Sequence, residues 1–383
     1  MATSLVHPDR IQSLTATGVE PRSGHYVLYW MQRAQRAQHN DALEHAARLA
    51  NEQAVPLLVC FGLTDDYPKA TARHYRFMLE GLAETAASVR RRGIGFTIRR
   101  GPPPRVAAEL ARRAAIVVTD RAYERVLVSW REQLVGDVGC PVVQVESDVV
   151  VPVDVASDHR EYAARTLRPK LHARLDQFAE ELLTTSLDEP LTDAPPSDVD
   201  LSDTDAVLGR LGVAVGDDTQ VTLHGGTAQA RSHLRRFLDD GLRGYADRRP
   251  DPLDPKVSYL SAYLHFGHIS PVAVLLAVRA AGAPTVDVAA FVDELVVRRE
   301  LAVNYVRYEP DYDRYSALPE WARTTLDAHR LDERDPAYSA TRLEEGSTHD
   351  PAWNAAMAQI RASGYLHNHM RMYWGKQILR WAA

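Results

Sequence analysis

The chain has 383 residues, of which 45% are hydrophobic and 25% are charged, and its formal net charge is −6. This composition is typical of a globular protein with enough apolar residues for a sizeable core, and the length favours two domains over one. The acidic balance argues against a protein that coats nucleic acid non-specifically, but it is compatible with a local basic site.

The chain contains two cysteines, Cys60 and Cys140, and each lies in or beside an apolar run. We therefore expect buried thiols in a reducing cytoplasm and no disulfide framework. The first residues lack the apolar core of a signal peptide, and no apolar run has the length that spans a membrane. These features predict a cytoplasmic protein without membrane segments.

The first 150 residues alternate strand and helix signals. Continuous apolar runs such as 55–61 are typical of strands that are buried on both faces of a parallel sheet. The predicted strands are 26–30, 55–61, 95–98, 115–119 and 141–145, and the predicted helices between them are 41–51, 71–92, 105–114 and 124–134. This alternation predicts an α/β domain with a doubly wound parallel sheet, although no Gly-x-Gly-x-x-Gly follows the first strand.

The second half of the chain has a different pattern. Residues 184–222 are rich in Pro, Ser and Asp, which predicts a long surface loop. After residue 226 the pattern is almost wholly helical, with predicted helices at 227–247, 258–263, 271–281, 287–307, 318–328, 351–363 and 366–381. The predicted organisation is an α/β domain over 20–150, a connector over 151–225 and an all-helical domain over 226–383.

Four stretches have an unusual composition: 26–36, 162–170, 258–270, and 293–301 continuing to the C-terminal tryptophans. Trp374 and Trp381 are seven residues apart, so on a helix their indoles lie on nearly one face, about 10 Å apart along the axis. Trp353 begins a separate helical stretch. Aromatic residues at helical spacing are also typical of simple core packing, so the spacing alone leaves that alternative open.

In their order and spacing, these stretches resemble the class II cyclobutane pyrimidine dimer photolyases of the photolyase/cryptochrome family, from about Tyr26 to the end of the chain. The resemblance implies an N-terminal α/β domain that can hold an antenna chromophore of the deazaflavin type. It implies a helical domain that holds FAD. It further implies a monomeric carbon–carbon lyase that binds DNA containing pyrimidine dimers and splits them with light-excited, reduced FAD.

The resemblance assigns the cofactor site to a set of residues in the helical domain: Tyr245, Ser258, Tyr259, Leu260, Ser261 and Arg298. Hydroxyls and backbone N–H groups near a helix start favour a pyrophosphate. Ser258 and Ser261 are also compatible with ordinary helix caps.

The resemblance also assigns the reaction and the DNA contacts. Glu294 matches the carboxylate that hydrogen-bonds the damaged pyrimidines, and its alternative is an i,i+4 pair with Arg298 on a helix surface. Met372 matches a residue that faces the substrate, and its alternative is core packing. Arg248 and Arg249 match the position of an arginine wedged into the hole that a flipped dimer leaves. Trp374, Trp353 and Trp381 match the chain that photoreduces the flavin, in that order, with Trp374 nearest the flavin.

The resemblance is incomplete at several positions. Chains of the family continue past Trp381 through a further helix and a segment that closes the flavin pocket, so a short pocket with weaker FAD binding is expected. Pro250, Ala262 and His39 replace the usual Asn, Pro and Asp. A second hypothesis is therefore a homologue without repair activity, used in light signalling, in regulation or on a small molecule. A third is a fragment.

No metal site is expected. His367 and His369 are two residues apart and would face different sides of a helix. His265 and His268 could share a side, but no cysteine or carboxylate accompanies them.

Overall fold

The computed structural model describes residues 3–16, 19–213, 223–253 and 255–382. The strands are β1 (Thr3–Ser4), β2 (Ile11–Ser13), β3 (Tyr26–Trp30), β4 (Leu57–Leu63), β5 (Gly95–Arg100), β6 (Ala114–Asp120), β7 (Val142–Val145) and β8 (Glu181–Leu182). The helices of the first half are α1 (Asp41–Glu52), α2 (Ala72–Arg90), α3 (Pro103–Ala111), α4 (Arg125–Asp137), α5 (Val153–Ala156), α6 (Ala164–Phe178) and α7 (Thr204–Leu211).

The second half is helical. It contains α8 (Thr227–Arg236), α9 (Tyr245–Arg248), α10 (Ser261–His265), α11 (Pro271–Ala280), α12 (Thr285–Val292), α13 (Arg299–Tyr308), α14 (Glu320–Ala328), α15 (Ala340–Glu345), α16 (Pro351–Ser363) and α17 (Asn368–Trp381). There are two π-helical segments. Phe237–Gly241 follows α8, and Asp293–Arg298 joins α12 to α13. Among the described residues, none of the helices combines the length and the apolar character that a bilayer crossing needs.

The main sheet has the strand order β2-β7-β6-β3-β4-β5, and its strands are parallel except that β2 runs antiparallel to β7. All residues of β3, β4 and β6 are buried, because helices cover both faces of the sheet. The strand order reverses between β3 and β6. In folds of this kind, ligands bind outside the carboxyl ends of the strands at such a reversal.

Asp120 fixes the loop that follows β3 at this reversal. Its carboxylate accepts hydrogen bonds from the backbone N–H groups of Gln32 (2.7 Å), Arg33 (2.8 Å) and Ala34 (3.2 Å). It also accepts one from the Tyr29 hydroxyl at 2.8 Å. Burial raises the pKa of Asp120, and the four hydrogen bonds oppose that shift by stabilising the ionised form. These hydrogen bonds therefore fix the path of the loop as it leaves the sheet.

The predicted fold class is confirmed, but helices α5, α6 and α15 have no counterpart among the sequence-based elements. The predicted helices 227–247 and 287–307 are each interrupted by a π-helical segment. The loop predicted over 184–222 contains α7, where Val207 and Leu208 pack into the core of the sheet, and its residues 214–222 lie outside the described part of the chain. The antiparallel edge strand β2 was not predicted.

Close contacts join the helical layer to the sheet. Gly267 has a φ of +70°, and a Cβ placed on it would lie 1.8 Å from the carbonyl oxygen of Arg33, so only glycine allows this approach. On α13, the Glu300 carboxylate accepts from the backbone N–H groups of Val150 (2.5 Å) and Val151 (3.3 Å). Burial raises the pKa of Glu300 to about 8.

We predict that Glu300→Ala lowers the free energy of unfolding by about 2–4 kcal/mol, because two buried amides lose their acceptor. The ordinary pKa of 4.5 is raised to about 8 in the folded protein. Between these values the folded state holds a proton that the unfolded chain has released, so this residue's contribution to stability is lost as the pH rises. Denaturant unfolding of the wild type, Glu300→Ala and Glu300→Gln across this range checks both points. The Gln variant should show a flatter pH dependence, and an unchanged slope would contradict the assignment.

Candidate functional site

A cavity of about 810 Å³ lies between the carboxyl ends of the sheet strands and the helical layer. Its sheet side is formed by Arg33 after β3, residues 121–124 after β6, and Asp148 after β7. Its helical side is formed by residues of α10, α12, α13 and α17 and the segments around them. The volume lies within the range of about 300–1,000 Å³ that is usual for ligand pockets.

The cavity wall brings together most of the residues that the sequence singled out. Arg249, Glu294 and the predicted cofactor residues all line it: Tyr245, Ser258, Tyr259, Leu260, Ser261 and Arg298. Arg248, Met372 and the three tryptophans do not line it. Arg248 is exposed, and Met372 is 58% exposed on α17.

The loop before α10 has a strained backbone where it lines the cavity. Tyr259 has a φ of +56°, which is unfavourable for a bulky residue, and its ring centroid lies 4.9 Å from that of Tyr365. The Ser258 hydroxyl accepts a hydrogen bond from the Leu260 N–H at 3.3 Å. The N-cap of α10 is Leu260, with no side-chain cap, so neither serine is an ordinary cap of this helix. Strain of this kind clusters at functional sites.

Glu294 lies in the π-helical segment between α12 and α13 and forms an ion pair with Arg249, directly after α9. The surface pair of Glu294 with Arg298 is not formed. Arg298 instead contacts Asp293 at 3.3 Å, and Asp293 is also paired with Arg168 at 2.8 Å. π-Helical turns are rare and occur frequently at functional sites.

The wall has more cationic than anionic side chains. Arg33 pairs with Asp148 and with Glu124, both at 2.7 Å, and Arg299 pairs with Asp148 at 3.3 Å. Burial raises the pKa of Asp148, but the guanidiniums of Arg33 and Arg299 outweigh it and hold the pKa below its usual value. The guanidiniums on the wall belong to Arg33, Arg121, Arg249, Arg298, Arg299 and Arg371, and the carboxylates to Glu124, Asp148 and Glu294.

One donor on this wall has no acceptor. The buried Nη1 of Arg299 makes no hydrogen bond within the described chain. An unused buried donor is costly unless a ligand or water meets it. Together with the surplus of guanidiniums and the hydroxyls of Ser258 and Ser261, it fits a ligand with a diphosphate group.

The three C-terminal tryptophans form one cluster. The ring centroid of Trp353 lies 5.7 Å from that of Trp374 and 5.7 Å from that of Trp381. Trp353 is fully buried, and its Nε1 donates to the carbonyl oxygen of Leu343 at 3.0 Å. Trp374 follows Arg371 of the cavity wall by one helical turn on α17. The rings therefore contact one another in the order Trp374, Trp353, Trp381. Trp374 is the nearest of the three to the cavity wall along the sequence.

A second cavity, of about 350 Å³, lies at the carboxyl ends of β3 and β4. Its lining is mainly apolar and aromatic, and Arg33 and His265 line both cavities. Among its lining residues, Trp30 Nε1, the side-chain amide atoms of Gln32 and Oε1 of Gln35 are buried without a hydrogen-bond partner. These polar atoms are available to a ligand in an otherwise apolar site.

Several wall residues were missed from the sequence, among them Arg33, Asp148 and Arg299. A signal was available for Arg33, since it directly follows a predicted strand, where parallel sheets place their sites. Two of the four histidines considered as metal ligands, His367 and His369, contact backbone carbonyl oxygens. His367 Nε2 lies 3.0 Å from the Arg249 carbonyl oxygen, and His369 Nδ1 lies 2.8 Å from that of Pro250. The described residues contain no cluster of side chains suited to a metal ion.

Comparison with known proteins finds similarity to DNA photolyases. The family model described as DNA photolyase matches residues 27–191. A deoxyribodipyrimidine photo-lyase of Methanothermobacter thermautotrophicus is 43% identical over 98% of this chain and 82% of its own length. One from Potorous tridactylus is 38% identical over 92% of this chain and 67% of its own length. The crystal structure of a class III photolyase from Agrobacterium tumefaciens has a TM-score of 0.74 at 21% identity, covering 95% of this chain and 74% of that one.

We predict that the Arg249–Glu294 ion pair adds little to stability, because both side chains are more than one third exposed, at 38% and 34%. A double-mutant cycle with Arg249→Met and Glu294→Gln should give a coupling energy of about 0.2–1 kcal/mol in denaturant unfolding. A coupling above about 2 kcal/mol would mean that the pair holds the fold together.

Proposed function

The chain belongs to the DNA photolyase family, and we propose that it is a deoxyribodipyrimidine photo-lyase, which splits cyclobutane pyrimidine dimers in DNA with reduced FAD and light. The observation that supports this best is the large cavity. Its wall joins the carboxylate of Glu294, the guanidinium of Arg249 and the strained Ser258–Ser261 loop. These residue types suit a flavin diphosphate and a pyrimidine dimer.

FAD is the cofactor of this proposal, and when reduced and excited by light it supplies the electron for dimer splitting. The residues that would hold it are Tyr245, Ser258, Tyr259, Leu260, Ser261 and Arg298. The unused Nη1 of Arg299 adds a further donor for the diphosphate. Charge-assisted hydrogen bonds of arginine to phosphate are strong and directional, so these side chains would bind and orient the group.

Glu294 and Arg249 are the proposed contacts to the flipped dimer. A carboxylate orients pyrimidine N–H groups, and a guanidinium stabilises negative charge that develops on a pyrimidine carbonyl. Arg248 is exposed beside this pair and suits the hole that the flipped dimer leaves. The exposed Met372 on α17 is the proposed apolar contact to the dimer. DNA that contains pyrimidine dimers is thus the proposed partner.

We assign the chain to class II within the family. The support is that the rings of Trp374, Trp353 and Trp381 contact one another in this order. The family resemblance of the sequence implies the same order. These rings would pass electrons to the cofactor site when the flavin is oxidised, and they take no part in dimer splitting itself.

The smaller cavity is the proposed site of an antenna chromophore of the deazaflavin type. Its aromatic lining suits a planar ring, and the unpartnered side-chain atoms of Trp30, Gln32 and Gln35 suit polar groups on that ring. The proposed organisation is a domain over 20–150 that holds this antenna, a connector over 151–225, and a domain over 226–383 for FAD and DNA. We further propose that the protein is a monomer and is cytoplasmic.

We predict that the purified protein, loaded with FAD and reduced, repairs a thymine dimer in an oligonucleotide under light. Glu294→Gln should slow repair at least about tenfold, because the carboxylate no longer orients the dimer. Glu320→Gln, which changes an exposed carboxylate on α14 away from the cavity, is the control and should repair at the wild-type rate. Repair is measured by chromatography of the oligonucleotide.

Two other outcomes separate the alternatives. A protein that binds FAD but leaves the dimers intact would favour a light-signalling or regulatory homologue. A protein that does not take up FAD would favour a cavity used for another small molecule.

We predict that Trp353→Phe slows the light-driven reduction of bound, oxidised flavin at least about tenfold, since it removes the central ring of the cluster. Repair by protein whose flavin has been reduced chemically should be unchanged. Trp321→Phe is the matched control, because Trp321 is 74% exposed on α14 and is not in the cluster. Photoreduction of Trp353→Phe at the wild-type rate would remove the proposed role of the tryptophans.

A further inference from the structure

A third cavity, of about 520 Å³, has no role in the proposed repair function. It shares residues 121–123 with the wall of the large cavity. Its remaining walls come from one face of α4, from β2 and β7, and from Arg307 of α13. It is therefore separate from the cofactor and antenna sites but adjoins the first of them.

Arg131 on α4 is the unusual residue of this cavity. Its side chain is only 7% exposed, and its Nη2 donates to the carbonyl oxygen of Ala122 at 2.5 Å. Its Nη1 is buried and makes no hydrogen bond, and no carboxylate of the described residues lies within 4.0 Å of the guanidinium. Buried charges in proteins are normally paired, because an unpaired one loses its hydration without compensation.

The neighbouring guanidiniums are compensated, which makes Arg131 an exception. Arg121 is paired with Asp154 at 2.5 Å and with Glu146 at 3.4 Å, and Arg307 is paired with Asp154 at 3.1 Å. Burial lowers the pKa of Arg131 to about 10, so the group is still cationic at neutral pH. An anion from outside the chain would supply the missing partner.

The other walls define the rest of such a ligand. Leu14, Val128 and Val135 give an apolar side, and Gln144 is engaged with Gln12 at 2.7 Å. Glu132 also lines the cavity but is exposed, and as the next residue of α4 it does not face Arg131. The cavity thus combines an apolar side with a cation that has no ion-pair partner in the described part of the chain.

We propose that this cavity binds a small amphipathic anion, with an apolar body and a carboxylate or phosphate group that pairs with Arg131. The planar guanidinium suits both oxyanions because it can donate two parallel hydrogen bonds. Nη2 of Arg131 also donates a hydrogen bond to the carbonyl oxygen of Ala122, which lines the large cavity. A ligand on Arg131 would therefore lie close to the wall of the large cavity. The proposal does not depend on the repair function.

Isothermal titration of the full chain with benzoate, phenyl phosphate and inorganic phosphate, at an ionic strength fixed with sodium chloride, tests this site. Benzoate or phenyl phosphate should bind, and whichever binds more tightly identifies the head group. Arg131→Met should weaken that binding at least about tenfold. Arg125→Met is the matched control, since Arg125 is exposed on the same helix and pairs with Asp313, and it should bind as the wild type does.

Two results would overturn the proposal: neither aromatic anion binds above the chloride background, or Arg131→Met binds as tightly as the wild type. If Arg131→Met does not fold, Arg131→Lys replaces it. Lysine keeps the charge but loses the paired N–H groups, so binding should weaken at least about threefold. Unchanged binding in the lysine variant would equally overturn the site.

Discussion

The site depends on one buried carboxylate. Asp120 ends β6, and it holds the loop after the neighbouring strand β3 through three backbone N–H groups. A buried carboxylate is unfavourable by itself, and these hydrogen bonds offset that cost. Because the loop is fixed, Arg33 leaves the sheet at a defined point and reaches both Glu124 and Asp148. The wall between the two proposed ligand sites therefore starts from the strand ends and does not need a mobile loop.

The helical layer is registered on the sheet by polar contacts of the same kind. Arg299 of α13 shares Asp148 with Arg33, and the next residue, Glu300, accepts the amides of Val150 and Val151. Gly267 allows the backbone before α11 to touch the loop after β3. Such contacts specify one arrangement of the two layers, whereas the apolar surfaces alone would permit several.

The sequence predicts most of the sheet because buried parallel strands are continuous apolar runs. It does not predict β2, which has three residues and is mostly exposed, or α7, which lies in a Pro- and Asp-rich stretch. The π-helical segments cannot be predicted from the sequence, because one wider turn hardly changes the helical periodicity of the apolar residues. The family resemblance picks out Glu294 and the Ser258–Ser261 loop as site residues, and all of them line the large cavity. Arg33 and Asp148 are 115 residues apart, so no local pattern reveals their pairing.

The π-helical segment explains how chemistry and stability are separated at the centre of the site. In a regular α-helix, Glu294 and Arg298 would be neighbours four residues apart. In the wider turn, Arg298 contacts Asp293, and Glu294 forms its ion pair with Arg249 on the cavity wall. The same segment buries Leu295, Val296 and Val297 in the core of the helical layer. Apolar packing thus stabilises the unusual turn, while Glu294 remains on the cavity wall, where its proposed contact with the dimer lies.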